Sequence, residues 1–193
     1  MDSKGIAFIA LMGALGNILF LISNYVMPII PGEVSLDLAL IPVFIAAFYG
    51  GPLMGFLTGL FAGIFPGIYY GPLGLGSWLG LIGLPIGKAL TGFIAGSLYK
   101  GLDVDHKPRK SVLTVPLVLV SYIPECIYTI AYFVILLPIL IGGGGVGILA
   151  FVIPKAWVEI IFISFFMAAL VGNHGFSNFI ANFFVGYKTR SKS

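Results

Sequence analysis

Charge is what this sequence most lacks. Of its 193 residues only 9% are charged and 59% are hydrophobic, whereas an ordinary soluble domain carries about 25% charge. So few ionised groups cannot cover a water-facing surface, so most of the surface must face lipid. The formal net charge of +3 does not point to nucleic acid, because most of the basic residues sit in terminal and connecting segments. Cysteine is nearly absent as well: Cys126 stands alone, which excludes an intrachain disulfide and makes it a small packing residue. The two histidines, His106 and His174, fall in polar connections, which argues against a metal cluster. There is no phosphate-binding loop, no HExxH and no Ser-His-Asp arrangement. The chain is therefore expected to be neither an ATPase nor another enzyme, and to hold no cofactor or metal.

What the sequence has is long apolar runs. A spanning helix needs about 20 mainly apolar residues, and one chain of this length fits a single transmembrane domain, 1–193. Helices are predicted over 5–25, 37–50, 52–65, 77–100, 112–138 and 149–172, with 176–187 either an interfacial helix or an extension of the last. The first run follows Met1-Asp2-Ser3-Lys4 and is longer than a signal-peptide core, so it reads as a retained helix. The second and third, split by Gly50-Gly51-Pro52, are short. They span with help from their loops, or form a hairpin that does not cross. Residues 27–37 and 66–76, rich in Pro and Gly, read as structured loops.

Eight of the ten basic residues (Lys4, Lys100, Lys107, Arg109, Lys110, Lys188, Arg190 and Lys192) fall on one side if the chain crosses six times. The positive-inside rule makes that side cytoplasmic. The expectation is an all-α, six-helix protein of the cell membrane with both termini inside.

An ionised group deep in a membrane costs at least a few kcal/mol and needs an explanation. Four lie within predicted helices: Lys88, Glu125, Lys155 and Glu159. Lys155 and Glu159, spaced i,i+4, share a face and can pair, with Trp157 nearby. Glu125 has Tyr122, Tyr128, Thr129 and Tyr132 around it at helical spacing, an acid among hydrogen-bonding aromatics. These groups either lock helices together or face a ligand. Gly51, Gly55, Gly59, Gly63 and Gly67 recur every fourth residue, a flat stripe suited to close helix packing. Ala10 and Ala14 form a second small pair.

Together these features resemble a substrate-binding S-component of an energy-coupling factor vitamin transporter. The resemblance rests on the size and six-helix layout, on Ala10-x-x-x-Ala14 in the first helix, on Leu36-Asp37-Leu38-Ala39-Leu40-Ile41-Pro42 after the first loop, and on the Gly-Pro-rich opening Gly51 to Gly59. It implies a subunit that captures one vitamin-like molecule in an outward-facing pocket. A transmembrane T-component, docked at Ala10 and Ala14, and two cytoplasmic ATPases would drive release. The expected pocket residues are Glu33 and Asp37 from the first loop, and Tyr69, Tyr70 and Trp78 around the third. Lys88, Tyr122, Glu125 and Tyr128 follow from the middle helices, and Lys155, Trp157 and Glu159 from the last. Metal-transporting relatives of the family carry an N-terminal His motif that this chain lacks, so the implied ligand is organic. Buried Lys and Glu together suggest a ligand with donor and acceptor groups, as in a zwitterion.

Two other readings stay open. One is a stand-alone, proton-coupled transporter using Glu125. The other is a non-transport membrane scaffold of the morphogenesis-protein type.

Overall fold

The computed structural model describes residues 3–26, 28–30, 34–35, 37–74, 77–142 and 146–185. In chain order, α1 is Ser3–Val26, and a small antiparallel hairpin follows, β1 Pro28–Ile30 and β2 Val34–Ser35. Then come α2 (Leu40–Ile45, continuing as a π-helical turn Ala46–Gly50), α3 (Pro52–Ala62) and α4 (Ile64–Tyr70). α5 is Ser77–Gly101, and α6 (Lys110–Ala131) passes through a π-helical turn, Tyr132–Leu136, into α7 (Leu137–Ile141). α8 (Val146–Gly172) and α9 (His174–Val185) complete the order.

Five continuous stretches among the described residues are long and apolar enough to cross a membrane: Ser3–Val26, Pro52–Tyr70, Trp78–Gly101, Lys110–Ile141 and Val146–Gly172. Their outer faces carry large exposed side chains such as Ile123, Ile127, Phe162 and Phe165. A soluble bundle hides residues of this kind. The architecture is that of a membrane helical bundle.

α2 is different. Leu40 to Phe48 are all buried, an apolar helix wrapped on every side, and Val43, Phe44, Ile163, Met167 and Val171 share its core. It is short because its start lies deep inside the molecule. Asp37, just before it, pairs with Lys88 of α5, while its far end meets Lys100, whose Nζ donates to the Gly50 carbonyl. Lys88 and Lys100 are twelve residues apart, about 18 Å along a helix. Asp37 and the start of α2 therefore lie at the level of Lys88. A turn at Gly51, with φ +95°, a conformation suited to glycine, then leads into Pro52 at the first turn of α3, where proline's missing N–H costs nothing.

The glycine stripe packs as its spacing implies, against α5. A methyl group added at Gly59 would lie 2.5 Å from the Lys88 carbonyl and 2.6 Å from Ala89 Cα. Additions at Gly55, Gly63 and Gly67 would meet Gly92, Pro85 and the Gly80–Leu81 backbone respectively. The backbones of α3, α4 and α5 touch directly, which fixes the depth and rotation of α5.

The third segment runs farther than the sequence suggests. Residues 66–70, read as loop, are helical, and Pro66 does not stop them. Asn17 of α1 explains the continuity. Its Nδ2 donates to the Phe61 carbonyl at 2.8 Å and to the Gly13 carbonyl at 3.0 Å, and its Oδ1 accepts from the Phe65 N–H at 2.9 Å. The amide stands in for the Phe65-to-Phe61 backbone bond of an unbroken helix, and satisfies groups that would otherwise be unpaired in an apolar environment. α4 then delivers Tyr69 and Tyr70 edge-on against Phe20.

The basic segments gather at one end. Lys4 Nζ reaches the Phe183 carbonyl of α9, Lys100 reaches Gly50, and Ser111 Oγ donates to the Ala168 carbonyl at 2.7 Å. In the loop between α5 and α6, Lys110 pairs with Asp105. There the Asp103 carboxylate, hydrogen-bonded to His106 Nδ1 at 2.7 Å, raises the imidazole pKa above its usual value.

Candidate functional site

Three helices supply the walls of a cavity of about 480 Å³, closed by residues from α2 and α4. α5 makes the space. Gly83 and Gly87, one turn apart, present no side chain towards α6. A Cβ at Gly87 would sit 3.4 Å from Glu125 Cγ and 3.6 Å from Tyr128 Cδ1, and one at Gly83 would strike the Tyr132 ring. The α6 side chains Tyr122, Glu125, Tyr128, Thr129 and Tyr132 fill that gap and line the cavity. The π-helical turn begins at Tyr132; the extra residue per turn changes the direction in which side chains emerge. Tyr132 is thereby buried beside Tyr128.

The charges form three groups. Lys88 Nζ lies 2.5 Å from Asp37 Oδ2, with Lys88 only 4% exposed, while Asp37 Oδ1 accepts the Ala39 N–H at 2.8 Å. One carboxylate thus holds the turn that leads into α2 and neutralises the lysine of α5. Lys155 Nζ lies 2.8 Å from Glu159 Oε2, the i,i+4 pair expected on one face of α8. Glu125 accepts a hydrogen bond from the Thr91 hydroxyl of α5. Among the described residues it makes no ion pair. All five charged groups line the same cavity, at helix positions about 18–25 Å from the basic end of the bundle by helical rise. Helix prolines stand next to two of them, Pro124 before Glu125 and Pro154 before Lys155. Each removes one backbone hydrogen bond from the preceding turn.

Of the residues expected from the sequence, Asp37, Tyr70, Lys88, Tyr122, Glu125, Tyr128, Lys155 and Glu159 are brought together around this space. Trp78 is not: it is 56% exposed, since nine residues separate it from Gly87 and turn it to the opposite side of α5. Trp157 also stays outside the lining, being two residues past Lys155. Its ring instead meets Tyr122 edge-on at 5.8 Å and supports that side chain from behind. Tyr69 packs on Phe20 and Tyr70. Glu33 lies outside the described residues. Ala10 and Ala14 are exposed on the outer face of α1, whereas Gly13 and Gly16 of the same helix meet Phe61 and Ala62 of α3. Cys126 is buried in the core.

Sequence reasoning missed Gly83, Gly87 and Thr91. The signal was present, since these three recur every fourth residue, a second small-residue stripe beside the one on α3.

No family model, curated protein or solved structure matches the chain. The site stands on its geometry alone. Buried lysines and carboxylates, tyrosine hydroxyls and aromatic faces around one apolar-walled space can bind and orient a small polar organic molecule.

Proposed function

We propose that the chain is the substrate-binding membrane subunit of an importer of the energy-coupling factor type, holding one vitamin-like organic molecule in the cavity between α5, α6 and α8. The observation that carries this reading is the coincidence of all five membrane-depth charges with one space of about 480 Å³. Small-molecule sites typically occupy 300–1,000 Å³. Groups that served only to join helices would have no reason to share a void.

In this reading there are six crossings: α1, α2 with its approach, α3–α4, α5, α6–α7 and α8. Both ends are cytoplasmic, and the membrane is the cell membrane. The clustering of Lys4, Lys100 and Lys110 at one end supports the orientation. The cavity then belongs to the outer half, where an external solute enters. A transmembrane partner subunit docks on the Ala10 and Ala14 face of α1, whose small side chains are uncovered. ATP hydrolysis resides in two cytoplasmic ATPases bound through that partner.

The reading is tested at Glu125. Glu125→Gln keeps the size of the side chain and removes its charge. Titration of the purified protein with its co-purifying ligand should show binding weakened about tenfold or more, equivalent to about 1.4 kcal/mol. An unchanged dissociation constant would remove Glu125 from the site.

A further inference from the structure

Resting on that reading, we infer that the cavity selects a ligand bearing a cationic nitrogen, held against Glu125, over neutral or anionic molecules of the same shape. The inference comes from which charges are already matched. Lys88 is neutralised by Asp37 and Lys155 by Glu159, both within hydrogen-bonding distance. The lining thus sets three carboxyl groups against two amines, one negative charge in excess when all five are ionised. The unmatched carboxylate is Glu125.

Its surroundings fit an incoming donor. Thr91 takes Oε2, and among the described residues no protein donor takes Oε1. That oxygen lies beside Gly87, where a Cβ would be 3.5 Å away, so at this position α5 puts no side chain against it. The Tyr128 ring lies next to the same glycine, and Tyr132 follows beside Tyr128 along the same wall. Aromatic faces attract a cation as well as an apolar ring. A ligand carboxylate or phosphate would find both lysines already beside a carboxylate, each ammonium's charge matched before the ligand arrives. The mixed lysine and glutamate content, which by itself suggests a zwitterion, therefore resolves into internal pairs plus one anionic position.

The test uses matched probes on the full chain in detergent: benzyltrimethylammonium, benzylamine, benzyl alcohol and benzoate, each titrated against wild type, Glu125→Gln and Glu125→Asp. Benzyltrimethylammonium and benzylamine should bind wild type at least about tenfold more tightly than benzyl alcohol, and benzoate more weakly still. Glu125→Gln should erase this preference and Glu125→Asp preserve it. Equal affinity for benzyl alcohol, tighter binding of benzoate, or a cation preference unchanged in Glu125→Gln would each overturn the assignment while leaving a ligand-binding subunit intact. Should none of the four bind, the charge of any co-purifying molecule decides. A basic or quaternary nitrogen upholds the assignment, and a molecule without one overturns it. Absence of both probe binding and a co-purifying molecule would bring down the binding-subunit reading as well.

Discussion

Lys88→Met should destabilise the protein by about 3–5 kcal/mol, the loss expected when one partner of a buried ion pair is removed and the other charge remains. Methionine nearly matches the lysine stem in length, so the loss is electrostatic rather than a packing defect. Asp37 would be left buried against α5 with only the Ala39 N–H as partner. The consequence reaches beyond one contact. Asp37 lies just before α2, the helix around which the core is built, so losing the pair frees the approach to α2 as well as a charge. Adding Asp37→Asn to Lys88→Met should recover part of the loss, because the neutral amide leaves no uncompensated charge. Thermal unfolding in detergent, read for the two single variants and the double variant, measures this coupling. Additive losses in the double variant would mean that the two groups do not depend on each other.

Gly59→Leu should be at least as damaging, about 3 kcal/mol or more, the upper end of the range for overpacking. Most overpacked side chains find room by shifting a flexible neighbour. Here the neighbours are the Lys88 carbonyl and Ala89 Cα, at 2.5 and 2.6 Å from the added Cβ. The only relief is to part α3 from α5, which undoes the contacts made by Gly55 and Gly63 and moves Lys88 away from Asp37. Gly147 supplies the control. A Cβ at that position meets nothing within 4 Å, so Gly147→Leu should leave the unfolding temperature unchanged. A Gly59→Leu protein as stable as Gly147→Leu would show that the helices are not in backbone contact.

Much of this was legible in the residues themselves, and what was not has identifiable physical causes. The membrane class follows from the scarcity of charge, and the pairing of Lys155 with Glu159 follows from one helical turn of spacing. The glycine stripe on α3 announced a close neighbour without naming it. The Asp37–Lys88 pair was not legible as a pair, because it joins groups 51 residues apart, a contact that no periodicity reveals. The break expected at Pro66 failed because a side chain from another helix, Asn17, supplies the hydrogen bonds that local sequence rules treat as lost. Trp78 and Trp157 drew attention as aromatic residues suited to a vitamin, yet angular position decides what a helix presents to a cavity. Neither lines the space that Gly83 and Gly87 open. These two glycines, which sequence reasoning passed over, shape the site more than either tryptophan does.

The most direct test of the central claim is a native mass spectrum of the purified protein beside that of Gly87→Leu. A side chain at 87 starts in ordinary contact with Glu125 and Tyr128 and grows into the cavity, so it should occupy the ligand's place without separating helices. The account predicts a small organic adduct at one per chain on the wild type and its loss from a folded Gly87→Leu protein. A wild type that never carries an adduct, or a variant that retains one at equal occupancy, would contradict it.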